Sequence, residues 1–222
     1  NGSLLAPVEG KAYLKNNQIE ILKSPGEKFF VAGGDLKELI SVKEDNETEA
    51  MAMNGRAMLD QIRYFPVPVI ANINGYALGG GAELAMACDY RIACQNAKFG
   101  FIHSSLGITT AWGGIIDLID SVGSSKALSI LIEGKMMNAE EAFAHGIIQE
   151  VEKTQEALEA RIDALKNTYR STPIHVIRGI KAVTSQHKRS IHDQLKKVEL
   201  NSFKRTWMSE AHWEKVNELL SK

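Results

Sequence analysis

Gly79-Gly80-Gly81 runs directly into Ala82-Glu83-Leu84, and three glycines ahead of an apolar segment let the backbone turn tightly and bring an amide close to a ligand. Gly80 then lies at a helix N-terminus, where unpaired N–H groups and the positive end of the helix dipole favour an oxygen that carries negative charge. A plain tight turn is the alternative. A second pair, Gly33-Gly34, also precedes a helix signal, because Asp35 and Glu38 have the spacing of a capping box and put a helix start at Leu36. If the two loops meet at one crevice, the N–H groups of Gly34 and Gly80 hold an oxygen as it gains charge, and one such donor is worth about 3 kcal/mol in a transition state. Spacing alone does not bring them together. Neither loop has the Gly-x-Gly-x-x-Gly spacing of a dinucleotide site, and no Gly-Lys-Ser/Thr phosphate loop occurs.

Glu83 stands one turn inside an apolar helix, an expensive place for a carboxylate unless it is paired, exposed or functional. A simple complement to the helix dipole is the competing reading. His145, His175, His187, His192 and His212 show no metal-ligand spacing, so no metal is expected. Lys181, Lys188, Arg189, Lys196 and Lys197 read most simply as a solvated helical face.

The elements that must position these residues alternate in type. Strands are predicted at 19–22, 29–31, 68–73, 90–94, 98–101 and 147–151, and helices at 50–64, at 82–87 and after Asn138, which forms a capping-box pattern with Glu141. Residues 155–220 read as three or four amphipathic helices with breaks near 171–173 and 186–189, a tail suited to packing on a neighbouring subunit. The expected division is an α/β core over 1–151 and a helical region over 152–222.

With 222 residues the chain is long enough for one sizeable core. Lys plus Arg (26) nearly cancels Asp plus Glu (27), which argues against nucleic acid and anionic membranes as partners and requires any anionic ligand to be held locally. No run approaches a membrane span of roughly 18 apolar residues. Cys88 and Cys94 are unsuited to a disulfide and fit a reducing compartment. The cytoplasm is expected, or an organelle matrix if a transit segment has been removed, because the chain opens on Asn1 rather than Met.

The runs Phe30-Val31-Ala32-Gly33-Gly34-Asp35-Leu36-Lys37 and Asn74-Gly75-Tyr76-Ala77-Leu78-Gly79-Gly80-Gly81-Ala82-Glu83-Leu84 resemble the two signatures of the enoyl-CoA hydratase (crotonase) family. The likeness continues in order to residue 151. It implies a spiral of ββα units with a C-terminal helical trimerisation region, assembled as a homotrimer or a dimer of trimers. It also implies an acyl-CoA thioester substrate, with coenzyme A entering as part of that substrate and no permanently bound cofactor. Gly34 and Gly80 take the place of the oxyanion-hole amides. Ala32, Gly34, Asp35, Leu36, Lys37, Gly80 and Trp112 fall on the stretches that line the CoA ligand, with Lys37 either facing phosphates or solvated.

Glu83 matches the first catalytic glutamate of the hydratases, whereas His103 stands where the resemblance calls for the second. Hydration uses two carboxyl groups to hold a water and deliver its parts. An imidazole titrating near pH 6.5 shuttles protons but does not copy a paired carboxylate. A loop histidine bonded to backbone is the bland alternative. Phe101-Ile102-His103 and Ala111-Trp112-Gly113-Gly114 are similar to the ethylmalonyl-CoA decarboxylase branch, with Trp112 as an apolar wall or as an ordinary core aromatic. The resemblance therefore gives slight preference to a 2-alkylmalonyl-CoA decarboxylase in which Gly34 and Gly80 hold the enolate, Glu83 orients substrate or exchanges a proton, and His103 is the acid. Enoyl-CoA hydration or isomerisation is the alternative, and a non-catalytic acyl-CoA scaffold is a third reading. The stretch before the first glycine loop is shorter than the resemblance calls for, so that region is expected to be truncated or atypical.

Overall fold

Residues 69–73 combine β-branched and small apolar side chains, and each is buried, as suits a strand covered on both faces. This strand, β3 (Val69–Ile73), lies in the computed structural model between β1 (Glu20–Leu22) and β5 (Tyr90–Cys94). The structure describes residues 18–26, 28–33 and 39–221. All pairings of the first sheet are parallel, and β8 (Glu150–Glu152) closes its order as β1-β3-β5-β8. A second sheet has the order β2-β4-β6-β7, built from β2 (Phe29–Val31), β4 (Tyr76–Leu78), β6 (Lys98–Gly100) and β7 (Met137–Asn138). Only its β6–β7 pairing is antiparallel. From β1 to β6, successive strands thus step from one sheet to the other, the ββα spiral that the resemblance implies.

The connecting helices seal the sheets. Helix α1 (Asp45–Arg63) starts five residues before the predicted 50, because the acidic run forms its first turn. Glu47 accepts from the Glu44 N–H at 3.4 Å, and Asp45 and Glu47 complement the dipole. Helix α2 (Gly80–Ala87) is buried from Gly81 onward. A 3-10 helix (Ile102–Leu106), α3 (Gly114–Val122), α4 (Ser124–Glu133) and α5 (Ala139–Ala144) follow. Asn138 caps α5 in the predicted box with Glu141. The largest apolar cluster joins Phe30, Ile73, Phe99, Phe101 and Leu118 between the sheets and helices.

The C-terminal helices are three: α6 (Gln155–Ser171), α7 (Ile174–Trp207) and α8 (Glu210–Leu220). The break expected at 186–189 does not occur, since Gln186-His187-Lys188-Arg189 contains no helix breaker. The chain bends instead after Trp207, where Ser209 caps α8. Helix α7 buries a stripe of Ile177, Lys181, His192, Glu199, Phe203 and Trp207. Lys181 is therefore no solvated lysine. Only 3% exposed, it donates to both Asp89 carboxylate oxygens at 2.5 and 2.7 Å and to Arg63 O at 2.9 Å. Cys88 and Cys94 are both free and buried.

One contact fixes the entry to α2. A Cβ placed on Gly81 would lie 1.9 Å from Val31 O. Exchanging a helical glycine for alanine normally gains about 1 kcal/mol, but here overpacking reverses the sign. Gly81→Ala is expected to lose about 1–3 kcal/mol, read as a lower midpoint in thermal unfolding; a raised midpoint would contradict this packing.

Candidate active site

Strands β2, β4 and β6 lie side by side and parallel, with Val31 opposite Ala77 and Leu78 opposite Gly100. Their C-terminal ends open at one edge, the usual place for a site in such sheets. The edge receives Ala32 and Gly33 from β2, Gly79 and Gly80 from β4, and the 3-10 helix with His103 from β6. The two glycine loops meet here: a Cβ on Gly33 would lie 3.3 Å from Leu78 O and 3.4 Å from Gly80 N. Ala82 and Glu83 return their N–H groups to Gly79 O, while Gly80, as first residue of α2, has no partner for its N–H within the helix. Gly34, Asp35, Leu36 and Lys37, with the predicted helix start at Leu36, lie outside the described residues.

Glu83 projects from the first turn of α2 and is 2% exposed. Its Oε1 accepts from the N–H of Trp112 at 2.9 Å and from that of Gly114 at 3.0 Å. Its Oε2 faces His103 Nε2 at 3.3 Å. One oxygen is thus saturated by the backbone and the other is kept for the imidazole and the space beside it. Among the described residues His103 Nδ1 has no partner. A donor–acceptor pair with one unspent nitrogen can take a proton at one atom and release one at another.

Trp112 is wedged against two backbones. Its indole comes so close to Gly55 of α1 and Gly80 of α2 that an added Cβ would lie 2.1 Å from the ring at the first and 2.4 Å at the second. The ring therefore stands beside the helix N-terminus that Gly80 opens, and its buried Nε1 has no partner among the described residues.

These groups border a cavity of about 680 Å³, a volume within the range of small-molecule sites. Ala32, Gly33, Gly80, Glu83, His103 and Trp112 supply its polar corner and the adjoining wall. Leu39, Met51, Ala111, Phe203 and Trp207 supply apolar walls, and Lys215, Glu218 and Leu219 of α8 also line it. Phe203, Trp207 and the α8 residues were not visible as site residues in the sequence. Their one signal is helical spacing, which puts Glu199, Phe203 and Trp207 on a single face of α7. The C-terminal helices thus pack on the site of their own chain, in addition to any role on a neighbour. Among the described residues no group of three His, Cys, Asp or Glu side chains is arranged to hold a metal, and no helix is long and apolar enough to cross a membrane.

The fold and the site define an α/β architecture of the crotonase type, with a glycine amide and a buried carboxylate at the ends of adjacent strands. The family model described as enoyl-CoA hydratase/isomerase matches residues 13–218, and the chain belongs to that family. A probable enoyl-CoA hydratase of Bacillus subtilis is 32% identical over 195 residues, covering 88% of this chain and 76% of the relative. A crotonyl-CoA hydratase of Syntrophomonas wolfei is 35% identical over 188 residues, covering 84% and 71%. The crystal structure of an enoyl-CoA hydratase from Bacillus halodurans superposes with a TM-score of 0.83 at 25% identity, covering 90% of this chain and 81% of that one.

Helix α8 is pinned to the His103-bearing turn by His212. Its Nδ1 lies 2.7 Å from Leu106 O, so Nδ1 carries the hydrogen, while the ring packs between Trp207 and Trp213 with centroids 4.6 and 4.8 Å away. Burial pulls its pKa below the ordinary 6.5, with the Leu106 bond opposing. Because the folded value is lowered, the unfolded chain binds more protons below about pH 6.5. The stability contributed here is complete above that pH and is lost as pH falls through the folded value. Thermal unfolding between pH 7.5 and 5.5 is expected to show this loss in the wild type and a smaller one in His212→Gln; equal pH dependence in both would remove His212 as the cause.

Proposed function

We propose that the protein acts on acyl-CoA thioesters as an enoyl-CoA hydratase or isomerase, with Glu83 as the principal acid–base group. The observation that carries this reading is the division of labour within Glu83: Oε1 is fixed by two amides, and Oε2 is presented to His103 beside Gly80. In this reading the thioester oxygen lies between the N–H groups of Gly34 and Gly80, and the acyl chain runs along the apolar walls. The family resemblance assigns Asp35 and Lys37 to the stretch beside the CoA moiety.

For hydration, Glu83 Oε2 takes a proton from water as the water oxygen bonds to C3. The electron pair of the C2–C3 double bond moves to the thioester oxygen, where the two amides stabilise the enolate. The enolate collapses by taking a proton at C2 from the Glu83–His103 pair, which ends in its starting state. Moving a proton between two carbons without adding water gives isomerisation. His103 supplies the second proton-handling group that two carboxylates provide in the family's signature. The names of the relatives also weigh toward hydration, against the sequence-based preference for decarboxylation.

One observation favours a second reading. The group opposite Glu83 is an imidazole, and the wall beside Gly80 is the Trp112 indole, while the further carboxylate of the cavity, Glu218, stands on α8. In a 2-alkylmalonyl-CoA, cleavage of the bond to the carboxylate would send its electron pair to the thioester oxygen and release carbon dioxide. His103 would then return a proton to the α-carbon, and an apolar wall favours loss of the charged group.

Incubation with crotonyl-CoA and, separately, with methyl- and ethylmalonyl-CoA, followed by mass spectrometry, distinguishes these readings. Gain of water on crotonyl-CoA is expected; loss of carbon dioxide from the malonyl thioesters with no hydration would replace the first reading by the second. Binding of every thioester without turnover would leave an acyl-CoA scaffold. Glu83→Gln is expected to lower the rate by about 10² to 10⁴, and an unchanged rate would remove the carboxylate from the chemistry.

A further inference from the structure

Behind the turn that holds Glu83 lies a chain of buried charges that begins and ends on that same turn. Glu199 of α7 is 4% exposed. Its Oε1 accepts from Thr110 Oγ1 at 2.5 Å and from the Ile115 N–H at 3.3 Å, and its Oε2 is paired with Arg56 of α1. Thr110 Oγ1 accepts in turn from Ile115 N at 3.0 Å. Arg56 reaches His192 Nδ1 at 3.2 Å, and because arginine only donates, Nδ1 accepts and Nε2–H donates to Asp117 Oδ1 at 2.9 Å. Asp117 Oδ2 takes two bonds from Arg63, at 3.0 and 2.7 Å. Arg63 then donates to Trp112 O at 2.6 Å.

The path Thr110, Glu199, Arg56, His192, Asp117, Arg63 therefore closes on the peptide of Trp112. Residues 110–115 are gripped from the rear by Thr110 Oγ1, the Trp112 carbonyl and the Ile115 N–H. The N–H groups of Trp112 and Gly114, within the same turn, go to Glu83. Such a network is costly unless every member is satisfied. Its two carboxylates respond in opposite senses. Burial would raise the Asp117 carboxyl, but Arg63 and His192 more than offset it and hold it below the ordinary range. Burial pushes the Glu199 carboxyl up, Arg56 opposes, and the charge of Glu83 pushes it further up.

We infer that Glu199 and Thr110 are positioning residues for Glu83: they fix the 110–115 turn, so that its two N–H groups hold Oε1 and only Oε2 is offered to the cavity. Neither residue touches the reacting atoms. The catalytic part of the inference rests on the acid–base reading of Glu83 given above, whereas the structural part does not.

Thr110→Val keeps the side-chain shape and removes the hydroxyl that joins Glu199 to Ile115, and Thr110→Ser restores it. In protein labelled with carboxyl-13C glutamate, Glu83 is identified by the signal missing from Glu83→Gln. At one fixed pH its chemical shift is expected to move in Thr110→Val, because the two amide bonds to Oε1 lose their fixed geometry, and to return in Thr110→Ser. With crotonyl-CoA, kcat is expected to fall about tenfold to a hundredfold in Thr110→Val with KM within about twofold, again restored by serine. Glu199→Gln, which retains an acceptor for Thr110 but loses the charge, should fall between wild type and Thr110→Val. A Glu83 signal that stays at the same position in all folded variants overturns the inference. A signal that moves as expected in a protein that turns over no acyl-CoA leaves the positioning role standing and removes only the functional reading.

Discussion

A carboxylate almost fully removed from water has to find its compensation in the protein, and much of this molecule is arranged around that need at Glu83. Isolated burial of such a charge is prohibitive. Two main-chain N–H groups and an imidazole replace the lost hydration at 2.9, 3.0 and 3.3 Å. That solution requires α2 to begin at Gly80, the Trp112–Gly114 turn to approach within bonding distance, and the turn after β6 to bring His103 alongside. The adjacency of β2, β4 and β6 supplies the first and third conditions. The second is met from the far side, by helices distant in sequence.

The same arrangement divides the cavity. At the strand ends lie amide, carboxylate and imidazole; away from them lie Leu39, Met51, Ala111, Phe203 and Trp207. Apolar walls strengthen every electrostatic interaction at the polar corner, because field lines from a charge are less screened there than in water. Trp112 belongs to both halves. Its backbone N–H holds Glu83, its carbonyl is held by Arg63, and its ring fills the space that the absent side chains of Gly55 and Gly80 leave open.

How far the sequence discloses all this varies with the range of the interaction. Local signals read well: the apolar run of β3, the glycines that open α2, and the Asn138–Glu141 capping box each depend on neighbours a few residues away. The resemblance to a known family supplied an expectation that spacing did not, that the two glycine loops meet, and Gly33 does approach Gly80 N. The strand Tyr76–Leu78 escaped because three residues between a turn and a glycine run carry no periodicity. The acidic opening of α1 falls outside the helix predicted at 50–64 because its stabilisation is electrostatic rather than apolar. Lys181 reads as part of a solvated face, and His192 and Glu199 give no signal, since their burial depends on Asp89, Asp117 and Arg56, partners that only the tertiary fold brings near.

Helix α7 runs unbroken for 34 residues and grips the core at Lys181, His192, Glu199 and Phe203. Each residue of an α-helix turns its neighbours by about 100°. Loss or gain of a single residue between His192 and Glu199 would swing the Thr110 partner and the cavity aromatics away while Lys181 stayed engaged. An insertion of seven would restore the phase to within about 20° but slide them about 10 Å along the axis, past their partners. The helix therefore behaves as a ruler as well as a reading frame: between Lys181 and Phe203 both its phase and its length are fixed by partners in the core. Side chains on its outer face remain free to change one at a time.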